Sequence, residues 1–251
     1  MEHDILALPD GRRIAYRRTP GADPGVVFLG GLRSDMTGTK AEHLEAWARK
    51  EGRAFLRFDY TGHGASSGDF TDGCVGDWAR DARDAIAELT SGPQVLVGSS
   101  MGGWIALMIA KRSTQHVSGV VGIAAAPDFT EDSMWAGMSA EQRSSLETAG
   151  MIELPSDYSD EPYVITRKLI EDGRGNLVLR EPLELPFPVR LVHGTEDADV
   201  PIDVATRLLA HASGPDLRLV LLKNADHRFS SPEALALIVR SLEDVLAATA
   251  A

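Results

Sequence analysis

Val95-Leu96-Val97 runs straight into Gly98-Ser99-Ser100-Met101-Gly102-Gly103, and the stretch from Trp104 to Ala110 follows as an apolar run. These three pieces read as a buried strand, a tight glycine turn and a buried helix. Within them Gly98 to Gly102 matches G-x-S-x-G, a pattern that gains meaning only between a strand and a helix. Glycines at 98 and 102 leave room for a backbone bent sharply enough to lift the Ser100 hydroxyl to the top of a sheet. Gly103 and Ala106 allow helix and sheet to approach closely. The same spacing recurs at Gly64-Ala65-Ser66-Ser67-Gly68, but that copy follows a loop and precedes the polar Asp69, Thr71 and Asp72, so it is set aside.

Outward from this turn the chain alternates short apolar runs with helical patterns. Val26 to Leu29 ends in Gly30-Gly31, and Ala54 to Phe58 is followed by a glycine- and serine-rich loop from Asp59 to Gly68. Thr39 and Glu42 have capping-box spacing ahead of Leu44 and Trp47, with Gly52 to close the helix. Trp78, Ala82, Ala85, Ile86 and Leu89 recur at helical spacing. Near the start, Ile5–Leu8 and Arg12–Arg17 flank Asp10-Gly11 as a hairpin. Downstream come the strand Val117–Ile123, the strand of Val189, Leu191 and Val192, a helix from Pro201 to Ala210, the strand Leu217–Leu222, and a last helix capped by Ser231 with Pro232 in its first turn. Strands separated by helices give an α/β fold, a mostly parallel sheet with helices on both faces. Residues 1–127 and 187–251 are expected to form this core. Residues 128–186 are polar and acidic, with prolines at 155, 162 and 182, and read as a lid-like insertion of short helices, one of them capped by Ser139 and Gln142; Asn176–Leu179 could be extended.

The chain has 251 residues, 43% of them hydrophobic and 25% charged, enough to bury one large core. Its formal net charge is −12 without any basic cluster, which argues against nucleic acid as a partner. The single cysteine, Cys74, excludes an intrachain disulfide, and no Cys/His spacing suits a structural zinc. The acidic start lacks the layout of a secretory signal, and no apolar run is long enough to span a membrane. A cytoplasmic protein is expected, with no cofactor and no metal. Oligomeric state has no signal in the sequence.

A serine nucleophile needs a base, and the base needs an acid to fix its tautomer. Of seven histidines, His3, His43, His116 and His211 fall at termini or on helices and their ends, and His193 ends a buried strand. His63 sits in the glycine-rich loop and precedes Ser100. His227 lies just beyond the last strand, at the carboxyl end of the sheet where α/β sites collect, and is the favoured base. Asp197 follows the strand ending near His193, with Asp199 two residues further on as an alternative. The chain order serine, aspartate, histidine is that of an α/β-hydrolase. For the oxyanion, Met101 N–H supplies one donor and Leu32 N–H, after Gly30-Gly31, is the candidate second; an ordinary glycine turn at 30–31 competes with the latter.

Over nearly its whole length the chain resembles the α/β-hydrolase superfamily. The matching motifs are Gly30-Gly31-Leu32, the loop Asp59-Tyr60-Thr61-Gly62-His63-Gly64-Ala65-Ser66, the Ser100 turn, the acid loop His193-Gly194-Thr195-Glu196-Asp197-Ala198-Asp199-Val200-Pro201, and Asp226-His227. The resemblance favours Asp197 over Asp199, because the family's acid stands three residues before the Val-Pro pair. It departs at Gly30-Gly31, where many members have His-Gly. Phe28–Ala41, Arg57–Tyr60, Gly92–Trp104, Asp226–Arg228 and the pairs Pro155-Ser156 and Tyr158-Ser159 are closer still to the mitochondrial abhydrolase-domain palmitoyl-protein thioesterases and acyl-glucuronide esterases. That likeness implies serine hydrolysis of acyl esters or thioesters, with a small-molecule or S-acylated substrate, under a lid; the chain shows no transit-type extension, so a cytoplasmic bacterial-type relative is expected.

In the insertion, Met134, Trp135, Met138, Leu146, Met151, Ile152 and Leu154 either line an acyl pocket or form the small core that holds the lid. A general carboxylesterase or lactonase shares the same triad, and a noncatalytic ligand receptor could share the fold.

Overall fold

The computed structural model describes residues 2–112, 116–154 and 162–249; Pro155, Ser156, Tyr158 and Ser159 lie outside them. In chain order the strands are β1 (Asp4–Ala7), β2 (Arg13–Thr19), β3 (Ala22–Leu29), β4 (Arg53–Phe58), β5 (Gln94–Ser99), β6 (Val117–Ile123), β7 (Met151–Leu154), β8 (Tyr163–Thr166), β9 (Leu183–Glu184), β10 (Val189–Gly194), β11 (Ala212–Ser213) and β12 (Leu217–Leu222). The helices are α1 (Thr39–Glu51), α2 (Val75–Leu89), α3 (Met101–Arg112), α4 (Ala140–Ala149), α5 (Arg167–Arg174), α6 (Ile202–His211) and α7 (Pro232–Thr249).

Eight strands form one sheet in the order β1-β2-β4-β3-β5-β6-β10-β12. From β4 to β12 all neighbours are parallel, and β2 runs antiparallel to both β1 and β4. The apolar runs are continuous because both faces of the sheet are covered. Val26, Phe28, Val95, Val97, Val121 and Ile123 pack with α1 and α7 on one face. Their sequence neighbours Val27, Leu29, Leu96 and Val120 pack with α2 and α3 on the other. Each such side chain, fully buried, contributes about 1.5–3 kcal/mol relative to exposure.

Helix α1 ends as expected, with Gly52 in the left-handed region at φ 65° and its N–H on Ala48 O. It starts differently: the N-cap is Gly38, with no side-chain cap, and Thr39 is the first helical residue. Glu42 is instead drawn to within 3.9 Å of the buried Arg57 guanidinium. In the insertion, the Ser139–Gln142 capping box forms as expected.

The chain leaves the sheet at Asp128. This fully buried carboxylate accepts the N–H groups of Val178 at 2.8 Å and Leu179 at 3.0 Å and the guanidinium of Arg180 at 3.2 Å, tying the two ends of the insertion together. Val178 and Leu179 therefore spend their backbone donors on a side chain, Asn176 N–H donates to Gly173 O at 2.9 Å, and Asn176–Leu179 is not a strand. Between these ends lie a π-helical turn (Thr130–Trp135), α4 and α5, the short helices expected, together with an antiparallel pair of β7 and β8 that the sequence did not announce. Four-residue strands are too short to declare a period. Met138, Leu146, Ile165, Leu169 and Ile170 join the same core as Trp78 and Trp104, and Trp104 donates from Nε1 to Asn176 O at 3.1 Å. Among the described residues no helix is long and apolar enough to cross a membrane.

Candidate active site

Ser100 sits between β5 and α3 with φ 53°, in the left-handed region that costs a non-glycine residue strain. The turn is closed by packing that tolerates no side chain: a Cβ on Gly98 would lie 2.3 Å from Gly102 O, and one on Gly102 would lie 2.1 Å from Leu29 O. On Gly103 it would stand 2.6 Å from Ala125 Cβ. Ser100 N–H donates to Ile123 O at 2.9 Å, tethering the bend to β6.

His227 lies on the loop after β12, anchored by Phe229, whose ring is fully buried. Its Nε2 is 3.1 Å from Ser100 Oγ, and its Nδ1 is 2.8 and 3.0 Å from the two carboxylate oxygens of Asp197. Asp197, its side chain fully buried, also accepts the N–H groups of Asp199 at 3.1 Å and Val200 at 2.8 Å. The ring of His193 donates to Val200 O at 2.8 Å and stiffens this loop from behind. The Asp199 carboxylate shares the neighbourhood, with one ligand atom from each of Asp197, Asp199 and His227 falling within 4.8 Å of the others. Both ring nitrogens of His227 are engaged by Asp197 and Ser100, so this trio offers a metal no uncommitted imidazole.

Gly31–Ser34 forms a turn closed by Ser34 N–H on Gly31 O at 3.2 Å. It lies against the serine: a Cβ on Gly31 would be 3.5 Å from Ser100 Cβ. Met101 opens α3, so its N–H has no acceptor within the helix. Among the described residues the Leu32 N–H makes no backbone hydrogen bond. Leu32, Ser100, Met101 and His227 all line one cavity of about 430 Å³.

Apart from Met134 and Asp199, the rest of that cavity has no signal of its own in the sequence. Its apolar wall is Ala126, Phe129, Met134, Tyr163 and Val200, while Arg33, Lys40, Asp199 and Arg228 bring charge. Of the seven insertion residues considered, only Met134 lines it; Met138 and Leu146 are core, Trp135, Ile152 and Leu154 pack against that core, and Met151 is 53% exposed. Lys40 donates to Arg228 O, and burial holds its ammonium below the usual lysine range against the pull of Asp226. Its one signal in the sequence was its place in the Phe28–Ala41 stretch.

The second serine motif is structural. Ser66 Oγ donates to Asp59 O at 2.7 Å and accepts Ala15 N–H at 2.8 Å, stitching the Asp59–Gly68 loop to β2. Asp59 accepts the N–H groups of Met36 at 2.6 Å and Ala65 at 2.8 Å. Cys74 is buried, and burial together with the Asp77 hydrogen bond pushes its thiol up to about 12, which leaves no thiolate for nucleophilic chemistry at neutral pH.

An elbow serine, an imidazole within bonding reach and a buried carboxylate behind it, set at the carboxyl edge of a mostly parallel sheet, define a serine hydrolase of the α/β type. The chain belongs to the alpha/beta hydrolase family, which it matches over residues 26–237. Within that family it is 35% identical to the mitochondrial palmitoyl-protein thioesterase ABHD10 of Bos taurus, over 96% of this chain and 79% of the relative. A protein from Agrobacterium vitis S4 superposes with a TM-score of 0.92 at 37% identity, over 98% of this chain and 99% of that one. Alpha/beta hydrolase domain-containing protein 10 from mouse superposes with a TM-score of 0.91 at 32% identity, over 98% of both chains.

These relatives correct the expected cytoplasmic placement: the ABHD10 proteins matched are mitochondrial. The composition of the first segment does not say which compartment a protein occupies.

Proposed function

We propose that Ser100 is the nucleophile, His227 the proton carrier and Asp197 its orienting acid in the hydrolysis of acyl thioesters and acyl esters, with palmitoyl-type chains on a protein or small-molecule thiol or alcohol as the substrate class. The observation that carries this is the 3.1 Å approach of His227 Nε2 to Ser100 Oγ, with Asp197 at 2.8 Å behind it. His227 takes the Oγ proton as Oγ bonds to the acyl carbon, and the N–H groups of Met101 and Leu32 hold the oxyanion. Collapse breaks the bond to sulfur or oxygen, and the leaving thiol or alcohol takes the proton from Nε2. Water then gives a proton to Nε2 as it attacks the acyl-serine, releasing the carboxylic acid and restoring the hydroxyl.

The apolar wall of Phe129, Met134 and Tyr163 suits an acyl chain, and all three come from the segment 128–186, which we assign as a lid over a core of residues 1–127 and 187–251. The thioester preference is drawn from the likeness to ABHD10. The test is hydrolysis of acyl-CoA, S-acyl peptide, acyl glucuronide and nitrophenyl esters of graded chain length, with Ser100→Ala as the blank. Turnover confined to the intact serine and rising with chain length is expected. Equal turnover by the blank overturns the mechanism, and a flat profile across leaving groups overturns the thioester preference.

A further inference from the structure

His63 is nearly buried and touches no part of the proposed proton path, yet both its ring nitrogens are committed. Arg33 N–H donates to Nε2 at 3.1 Å, which makes Nε2 an acceptor and places the proton on Nδ1, 3.2 Å from Thr61 O. The ring is set edge-to-face among Tyr60, Phe70 and Trp78, with centroids 5.6, 5.4 and 5.0 Å away. Thr61 O is itself fixed by Trp78 Nε1 at 3.1 Å, and Thr61 is held from the other side by the buried Asp81 carboxylate at 2.7 and 2.8 Å. The ring can neither rotate nor withdraw without breaking this frame.

What it holds is the middle peptide of the Gly31–Ser34 turn. Arg33 occupies the third position of that turn at φ 55°, a conformation unfavourable for any side-chain-bearing residue. Turning the Leu32–Arg33 peptide over would return Arg33 to the right-handed region and give a turn with no positive φ. The His63 acceptor opposes that flip by leaving Arg33 N–H without a partner if it occurs. We propose that His63 is a positioning residue for the oxyanion loop: by holding Arg33 N–H it locks the Gly31–Ser34 turn in the form with Arg33 at positive φ, and so anchors the C-terminal side of Leu32, whose own N–H belongs to the preceding Gly31–Leu32 peptide, where that residue lines the cavity beside Ser100. This rests on the assignment of Leu32 as a donor made above. Arg33 carries the same restraint outward, since its guanidinium stands 5.5 Å from the Phe70 ring centroid and 5.3 Å from that of Tyr163 at the start of β8.

The test compares three substitutions with wild type and Ser100→Ala, using a nitrophenyl ester and an acyl trifluoromethyl ketone. His63→Phe keeps the ring in its aromatic frame and removes the acceptor. His63→Asn reaches Thr61 but not Arg33, and His63→Gln places an amide oxygen where Nε2 stands. The expected result is a fall in kcat of about 10- to 100-fold in His63→Phe and His63→Asn with KM within about 3-fold, somewhat less than outright loss of an oxyanion donor. Trifluoromethyl ketone inhibition weakens by a similar factor, because its adduct places an oxyanion in the same hole, and His63→Gln recovers most of both. If His63→Phe fails to fold, the Asn and Gln pair still separates reach from polarity. Full kcat in a folded His63→Phe or His63→Asn overturns the proposal. So does His63→Gln as slow as the others, since the loss would then follow packing. If wild type itself neither turns over ester nor forms a serine adduct, the hydrolase reading falls and this one with it.

Discussion

Asp197 places both carboxylate oxygens on Nδ1 of His227, at 2.8 and 3.0 Å, while its backbone bonds to Asp199 and Val200 keep it from rotating. The two acids of this loop therefore differ in what they can do, although they stand two residues apart. Asp197→Asn keeps an oxygen for the backbone donors and loses the charge that stabilises an imidazolium. It is expected to lower kcat by about 10³–10⁴-fold, whereas Asp199→Asn should cost less than about 10-fold. Steady-state hydrolysis of one nitrophenyl ester by both variants decides this, and equal losses would remove Asp197 from its role.

Met134 and Met151 belong to the same insertion and make opposite predictions. Met134 lines the cavity, and Met151 is exposed on β7. Loss of contact with a buried methionine side chain forfeits part of about 1.5–3 kcal/mol. Met134→Ala should raise KM for long-chain acyl substrates by about 3- to 10-fold while sparing short ones, at about 1.4 kcal/mol per tenfold. Met151→Ala should leave the chain-length profile unchanged. A profile across nitrophenyl esters from two to sixteen carbons reads both, and a uniform effect of Met134→Ala on all lengths would place the acyl chain elsewhere.

The parts of this molecule that were legible in sequence are those whose cause is local. Val26–Leu29 and Val95–Val97 had to be apolar at every position because both their faces are covered, and the Gly98–Gly103 turn had to be glycine-rich because its backbone meets backbone. His227 was found because its loop directly follows a strand. The capping box at Thr39 does not form because Gly38 takes the N-cap, which makes Thr39 the first helical residue and puts Glu42 one place too far along to reach back. The cavity wall was unreadable because its parts are distant in the chain. Phe129, Tyr163, Lys40 and Arg228 converge only after the insertion folds back over the sheet, and no spacing within any one segment encodes that meeting.

Arg57 and Glu45 form a buried pair between β4 and α1. Arg57 donates to Glu45 Oε2 at 2.8 and 2.5 Å and also to Met36 O, and Thr19 donates to Glu45 Oε1 at 3.0 Å. Burial raises the Glu45 carboxyl, but hydrogen bonds from Arg49 and Arg57 outweigh it and hold the group below its ordinary 4.5. Its contribution is thus present above about pH 4.5 and is lost as pH falls through the lower folded value. Glu45→Ala leaves the buried Arg57 with only Met36 O and the half-exposed Glu42 carboxylate 3.9 Å away, and unfolding in urea at pH 7 should show a loss of about 3–5 kcal/mol. Glu45→Leu combined with Arg57→Met should recover at least half of that. A loss below about 1 kcal/mol in the single variant would mean that water reaches the pair.

His63 also gives the fold a pH dependence with a definite sign. Burial lowers its pKa from the ordinary 6.5 despite the Thr61 carbonyl, and the Arg33 guanidinium, the charged group facing it, pushes the same way. The unfolded chain therefore binds a proton near pH 6.5, and the folded chain does so only at lower pH. Between those values the unfolded state holds more protons, so stability rises with pH through the window. It is complete above about pH 6.5 and declines as pH falls below it. Asp59 and Asp81, whose buried carboxyls are raised, act with the opposite slope above 3.8 and are common to wild type and variant. Urea midpoints measured from pH 5 to 7.5 should fall more steeply towards acid in wild type than in His63→Gln, the difference opening only below about pH 6.5. Parallel curves would show that the ring is protonated as easily in the folded chain as in the unfolded one, which the closed aromatic frame around it does not allow.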